Sequence, residues 1–297
     1  MSLQELDNTT QKVGNKQENK GIWYDSWRRL KKNPTAMFGL AIIIFLAIVA
    51  IFAPFLAPYD PFKINLLEST KAPSKAHWFG TDYYGRDILS RIIYGSRISM
   101  TVGFVVEFIT LVVGIIMGAL AGYFGGKVDM IISRIIDTIM AFPGLLFIIG
   151  VRVALGPGLF NIFIAMSIVG WTRKARLVRS QVLAAREYEY VEAARALGSS
   201  TPKIIYKHIL PNCMAPMIVS VTMGVAGAIM AEASLSFLGL GVQEPIPSWG
   251  SIIFEGLQYL RTAPWYTLFP GIAIAFTVLG FNLLGDGLRD ALDPRLK

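Results

Sequence analysis

The sequence predicts an all-α integral membrane protein with six transmembrane helices. Three observations carry this. Hydrophobic residues fill 54% of the 297 positions and charged residues only 16%, with a mean hydropathy of +0.51, whereas soluble domains average about 25% charged. The apolar residues gather into runs of membrane-spanning length. Basic residues cluster beside the ends of those runs, so the net charge of +8 points to lipid headgroups and orientation rather than to nucleic acid.

Residues 1–36 are polar and charged, which predicts a cytoplasmic tail without a cleavable signal peptide. Positions 1–20 are expected to be disordered. Trp23, Tyr24 and Trp27, followed by Arg28, Arg29, Lys31 and Lys32, fit an interfacial amphipathic helix or an ordinary basic flank. The membrane domain is expected to fill 37–297. Its first span, 37–57, has 21 residues without a charge, enough for about 30 Å of hydrocarbon. The basic quartet before it places the N-terminus in the cytoplasm. Residues 58–97 would then lie outside, although Lys63, Lys71, Lys75, Arg86, Arg91 and Arg97 argue against that placement.

The second span is expected over 99–121, with Glu107 inside it. Gly114, Gly118 and Gly122 recur every four residues, a smooth stripe for close helix packing or the ordinary glycine content of a membrane helix. The third span, 131–155, has an uninterrupted apolar part of only 14 residues, Thr138 to Val151. It crosses only if Arg134 and Asp137 sit at the interface, where their spacing lets them pair. Gly156-Pro157-Gly158 is a turn, and the short fourth span, 159–172, completes a hairpin.

A polar stretch, 177–212, interrupts the membrane-grade sequence. It reads as a helix, a corner at Gly198, and a second helix with Thr201 as N-cap and Pro202 at the first position, ended or kinked by Pro211. From Arg173 to Lys207 it carries eight basic residues against Glu187, Glu189 and Glu192, which places it in the cytoplasm. The fifth span is expected over 213–231. A Gly/Pro-rich outer segment, 232–262, includes a short helix near 251–260. The sixth span follows over 264–284, and the C-terminus returns to the cytoplasm.

The chemistry of catalysis is absent from the local sequence. There is no phosphate-binding glycine loop and no H-E-x-x-H. The two histidines, His77 and His208, lie in different loops, and the one cysteine, Cys213, cannot form an intramolecular disulfide or a zinc cluster. No catalytic residue, no metal ligand and no enzyme activity is expected. Glu107 is the candidate for a translocation pathway, with an interhelical or water-facing position as the alternatives. Arg152 and Glu232 are expected near outer span ends, within reach of water. In the polar stretch, Ala193 and Ala194 offer a side-chain-poor face for a groove on another protein. Tyr190, Val191 and Leu197 add apolar contact, and Ile204, Ile205 and Ile209 an apolar face on the second helix.

Glu192-Ala193-Ala194, then three residues, Gly198, and farther on Leu210-Pro211 resemble the EAA loop of ABC importer permeases, written E-A-A-x3-G-x9-I-x-L-P. Only the isoleucine departs, being His208 here, and the HILPN ending resembles the peptide-transport branch. FGTDYYGRDILSRIIYGSRIS, SFLGLGVQEPIPSWG and NLLGDGLRDALDPRLK are similar to the smaller, C-type permease of oligopeptide and dipeptide importers. The resemblance implies a type I importer permease fold with cytoplasmic coupling helices, in a bacterial inner membrane. It implies a homologous second permease, two ABC ATPase subunits and an extracellular peptide-binding protein as partners, beside membrane lipid. ATP and Mg would be used by those partners, with no cofactor bound by this chain. Glu192, Ala193, Ala194, Gly198, Leu210 and Pro211 would dock the ATPase, with Tyr190, Arg195 and Leu197 added from the helix geometry. Nickel and glutathione importers share much of this pattern. A proton-coupled secondary transporter using Glu107 and a purely structural scaffold are the alternatives from other classes.

Overall fold

In the computed structural model, which describes residues 22–293, every regular element is a helix, and one isolated bridge pairs Thr81 with Asp87. The tail expected over 1–20 and the last four residues lie outside the described residues. Helix α1, Ile22–Lys32, buries Leu30 against Ala36 and Ala291 and leaves Tyr24 and Trp27 exposed. Asn33 caps α2, Pro34–Ile51, by accepting from the Thr35 and Ala36 amides, with Pro34 in the first turn where no amide bond is missed.

Helix α3, Ile88–Phe124, begins eleven residues before the expected boundary at 99. Its cap is Asp87, which accepts from the Ser90 amide and hydroxyl at 2.8 and 2.7 Å. The charged residues between 88 and 97 are helical because the most buried of them, Arg91, is neutralised by tertiary partners. The expected third span, 131–155, is instead two helices, α4 (Gly126–Met140) and α5 (Gly144–Leu155), bent by 90°. Pro143 lies in the break, with no amide hydrogen to donate and a preceding residue pushed away from helical torsions.

Helix α6, Leu159–Ala185, joins what the sequence divides into a span ending at 172 and a cytoplasmic helix beginning at 177. It continues because its cations have partners on other helices: Lys174 with Glu107, Arg176 with Asp137, and Arg179 with Asp129. Asp137 therefore pairs across helices with Arg176, not with Arg134. Helix α7, Glu189–Ala196, leads through Gly198 to a run of helical turns, Thr201–Cys213, that flows into α8, Met214–Phe237. Ser200, not Thr201, is the cap residue. Pro211 does not end this run. The hydrogen-bond ladder widens to a π turn over Ile204–Ile209 and tightens to a 3-10 turn over Leu210–Cys213, which accommodates the missing amide. A short helix α9, Trp249–Gly256, and the last helix α10, Trp265–Leu292, complete the chain.

Among the described residues, Pro34–Ile51, Ile88–Phe124, Thr201–Phe237 and Trp265–Leu292 are long and apolar enough to cross a membrane. The bent α4–α5 pair makes a fifth such unit. The charged α6 does not join that set, so the expected six spans correspond to four uniform runs, a bent pair and a charged helix.

The α3–α6 seam positions the corner after α6 and the Glu107–Lys174 pair. Gly114 abuts Lys174, Gly118 abuts Ala175 and Val178, and Gly122 abuts Arg179 and Val182. A Cβ on Gly118 would stand 2.6 Å from the Ala175 carbonyl oxygen and 2.7 Å from the Val178 Cβ. Gly118→Leu should therefore destabilise the purified chain by at least about 1–3 kcal/mol. Gly150→Leu, where nothing lies within 4 Å, should melt like the parent protein. Thermal unfolding in detergent compares the two, and equal melting temperatures would refute the packing assignment.

Candidate functional site

The exposed corner after α6 is built from a short helix and a left-handed residue. Helix α7 ends in two bonds, from the Ser199 amide to the Ala194 carbonyl (3.1 Å) and from the Gly198 amide to the Arg195 carbonyl (3.0 Å). Gly198 itself adopts φ +75°, where a side chain would be strained. Val191 and Ala194 turn inward, 0% and 7% exposed, onto Val182, Ala185, Ile204, Ile209 and Cys213. This corrects the expectation that Val191 and Ala194 face a partner; the apolar face of the second helix, Ile204 and Ile209, packs against them. Spaced three apart on α7, Val191 and Ala194 share the face that attaches the helix to its own core.

What remains outside is a ridge. Tyr190 and Leu197 are 39% and 86% exposed, and Ala193 lies exposed between them at helical spacing. Glu192, Arg195 and Gly198 flank that ridge, Pro211 is exposed beside it, and Leu210 is half-buried. The corner thus presents a rigid apolar knob with charged flanks. It has the geometry of a binding element and none of a catalytic centre.

The second candidate lies between the helices. Glu107 of α3 meets Lys174 of α6 at 2.8 Å. The Lys174 ammonium also donates to the Ser220 carbonyl (2.6 Å) and hydroxyl (3.0 Å) on α8, so one cation ties three helices together. Gly224 allows this, because any Cβ there would overlap the Glu107 carboxylate. The pair stands on the wall of a cavity of about 550 Å³, which Thr110, Arg173 and Met223 also line. Lys174 therefore belongs to the helix bundle and not to the polar loop where the sequence put it. Its partner lies deep in α3, with a largely apolar run from Phe108 to Gly122 still to follow.

The comparisons with known proteins agree with this architecture. Residues 114–297 match the family model of the binding-protein-dependent transport system inner membrane component. Residues 21–73 match that of the N-terminal transmembrane domain of oligopeptide transport permease C. The chain belongs to the binding-protein-dependent transport permeases. It is 48% identical over 275 residues to the dipeptide transport system permease protein DppC of Alkalihalophilus pseudofirmus, covering 93% of this chain and 90% of the relative. It is 46% identical over 276 residues to the oligopeptide transport system permease protein OppC of Bacillus subtilis, covering 93% and 90%. Its fold is similar to that in inward-facing crystals of the MetNI methionine ABC transporter, with a TM-score of 0.57 at 19% identity, covering 69% of this chain and 98% of that one.

As a permease of this family the chain is an integral inner-membrane protein and a transport subunit that works with ATPase and permease subunits. The face of the permease opposite the corner explains two of the six basic residues that argued against an outside placement of 58–97, Arg86 and Arg91, while Lys63, Lys71, Lys75 and Arg97 are exposed. Arg86 bonds Asp82 (2.5 Å), Glu244 (3.1 Å) and Glu255 (2.9 Å). Arg91 bonds Asp82 and Glu255, both at 2.6 Å, and the Tyr266 hydroxyl donates to Glu255 at 2.6 Å. His77 bridges Asp87 (2.9 Å) and Glu68 (3.4 Å). These side chains are neutralised inside a folded cap and are not a free basic loop. Two further expectations are corrected on this face. Arg152, 4% exposed, donates to the Leu240 carbonyl at 3.1 Å, and Glu232, 0% exposed, accepts from Ser236 and Ser248 at 2.7 and 2.9 Å. Neither reaches water, because the 238–256 segment folds over them. Sequence reasoning missed this cluster. Its only local signals are the i, i+4 spacings Asp82–Arg86 and Asp87–Arg91, the second of which is not an ion pair.

Proposed function

We propose that the chain is the permease subunit of an ATP-driven importer of dipeptides or oligopeptides, forming half of the translocation pathway. The observation that carries this is the near-full-length match to dipeptide and oligopeptide permeases. The α7 corner supports it mechanically. The chain has no sequence motif that holds a nucleotide, so the energy enters through a partner, and the corner gives an ATPase something rigid to move. Its docking residues are Tyr190, Glu192, Ala193, Arg195, Leu197 and Gly198. Ala194, Leu210 and Pro211 hold or border the ridge. A push on α7 passes through Val191 and Ala194 to the ends of α6 and α8. Moving those helices against a second permease switches the cavity between the two sides of the membrane.

On this reading the complex has a homologous second permease, two ATPase subunits that use ATP and Mg, and an extracellular peptide-binding protein. The corner and both termini face the cytoplasm, and this chain binds no cofactor of its own. The buried Glu107–Lys174 pair is a poor proton carrier, since neutralising either member strands the other.

Reconstitution into proteoliposomes tests the proposal. Uptake of a labelled dipeptide should require ATP on the corner side and persist when a protonophore collapses the proton gradient. Uptake that survives without ATP and stops with the protonophore would make the chain a secondary transporter. Uptake of nickel or glutathione in place of the dipeptide would reassign the substrate.

A further inference from the structure

Helix α6 carries four cations between Arg173 and Arg179. Three of them have a carboxylate on another helix: Lys174 has Glu107 (2.8 Å), Arg176 has Asp137 (2.5 Å) and Arg179 has Asp129 (2.5 Å). Arg173 has none among the described residues. Unlike the buried Lys174, it is exposed, and it borders the open cavity of about 550 Å³ beside the Glu107–Lys174 pair. Those two charges cancel, so the Arg173 guanidinium leaves the ionisable wall with one net positive charge.

The depth of this charge matters. Lys174, the next residue, abuts Gly114 and pairs with Glu107, well inside α3. A charged side chain at such a level is costly unless it faces a cavity or a partner, and it commonly marks a solute pathway. The rest of the wall suits a variable solute. Met166, Met223 and Met230 are flexible thioethers that repack around different shapes, and Gly224 and Gly227 add no bulk.

We infer that Arg173 is a binding subsite for the carboxylate of the transported solute, and for a peptide that carboxylate is the C-terminus. Peptides differ in every side chain but share that group. A guanidinium binds it through two parallel hydrogen bonds, while the methionine wall tolerates the remainder. The inference rests on the peptide-importer reading.

The test compares a dipeptide with its C-terminal amide in proteoliposomes holding the whole complex and one binding protein. The ratio of variant to wild-type rate for each peptide cancels the binding protein's own preference. In R173Q, uptake of the free acid should fall tenfold or more while uptake of the amide changes less than twofold. R173K, which keeps the charge but not the planar fork, should restore only part of the loss. Unchanged uptake of the acid, or equal losses for acid and amide, overturns the inference. So does release of the second permease from the R173Q complex, which would mean that Arg173 pairs with a carboxylate of that subunit. If the wild-type complex takes up neither peptide, the importer reading itself fails, independently of Arg173.

Discussion

Leu197→Asp should leave the chain folded in the membrane and strip it of its ATPase partners. Leu197 is 86% exposed, so its removal costs the isolated chain little, within about 0.5 kcal/mol as for ordinary surface substitutions. In the proposed docking on the ATPase the same side chain would be the apolar centre of the contact. Losing a buried anchor of an interface costs about 2 kcal/mol or more, close to thirtyfold in affinity, and a carboxylate in that groove adds a desolvation penalty. Glu192→Arg should act the same way from the charged flank. Gly198→Val separates geometry from contact. Its added Cβ would meet nothing within 4 Å, so the penalty is the left-handed backbone itself, about 1–2 kcal/mol. Co-purification of the ATPases with tagged permease reads these effects, and peptide uptake should fall with it. Normal co-purification together with normal uptake in Leu197→Asp would remove the corner from the coupling mechanism.

Arg91→Met should destabilise the permease by up to about 3 kcal/mol, the low end of the usual cost of stranding a buried charge, because Arg86 still meets both carboxylates. Arg91 is 1% exposed and meets Asp82 and Glu255 together, so two carboxylates lose a partner in one step. Combining Arg91→Met with Glu255→Gln should recover part of the loss, because the net charge of the cluster is restored. A melting temperature unchanged in the single variant would contradict this account. The same cluster gives a pH dependence. Burial pushes the Glu255 carboxyl up, but the hydrogen bonds and charge of Arg91, with Tyr266 and Arg86, outweigh it and hold the carboxyl below its usual range. A depressed carboxylate contributes stability that is complete above about pH 5. That contribution fades as pH falls past the unfolded value of about 4.3 toward the folded one. Melting should therefore fall more steeply with acid in the parent protein than in the double variant.

The parts of this architecture legible in the sequence are those set by neighbours along the chain. The apolar runs around Leu46, Thr110, Val225 and Ile274 declare themselves through local composition. The corner declares itself through glycine at 198, where backbone torsion restricts the residue choice. What was illegible depends on partners distant in sequence. Lys174 reads as a loop residue until Glu107, on another helix, is placed against it. Arg86 and Arg91 read as exposed cations until Glu244 and Glu255 fold over them. Pro143 was visible, but a proline inside an apolar run is compatible with either a gentle kink or the 90° bend that occurs. On α7 the sequence does not separate the inward Val191 and Ala194 from the outward Tyr190, Ala193 and Leu197. The inward turn of Val191 and Ala194 is set by Ile204 and Ile209 beyond the glycine.

The Arg91–Glu255 contact spans 164 positions of sequence. A ribosome delivers the arginine long before the glutamate, so until then Arg86 and Arg91 share the single carboxylate of Asp82. The cap over 58–97 can close only after Glu255 has been synthesised and the segment before the last helix has been delivered to the same side. The cap is thus completed backwards: the final third of the polypeptide supplies the second carboxylate that the first third awaits.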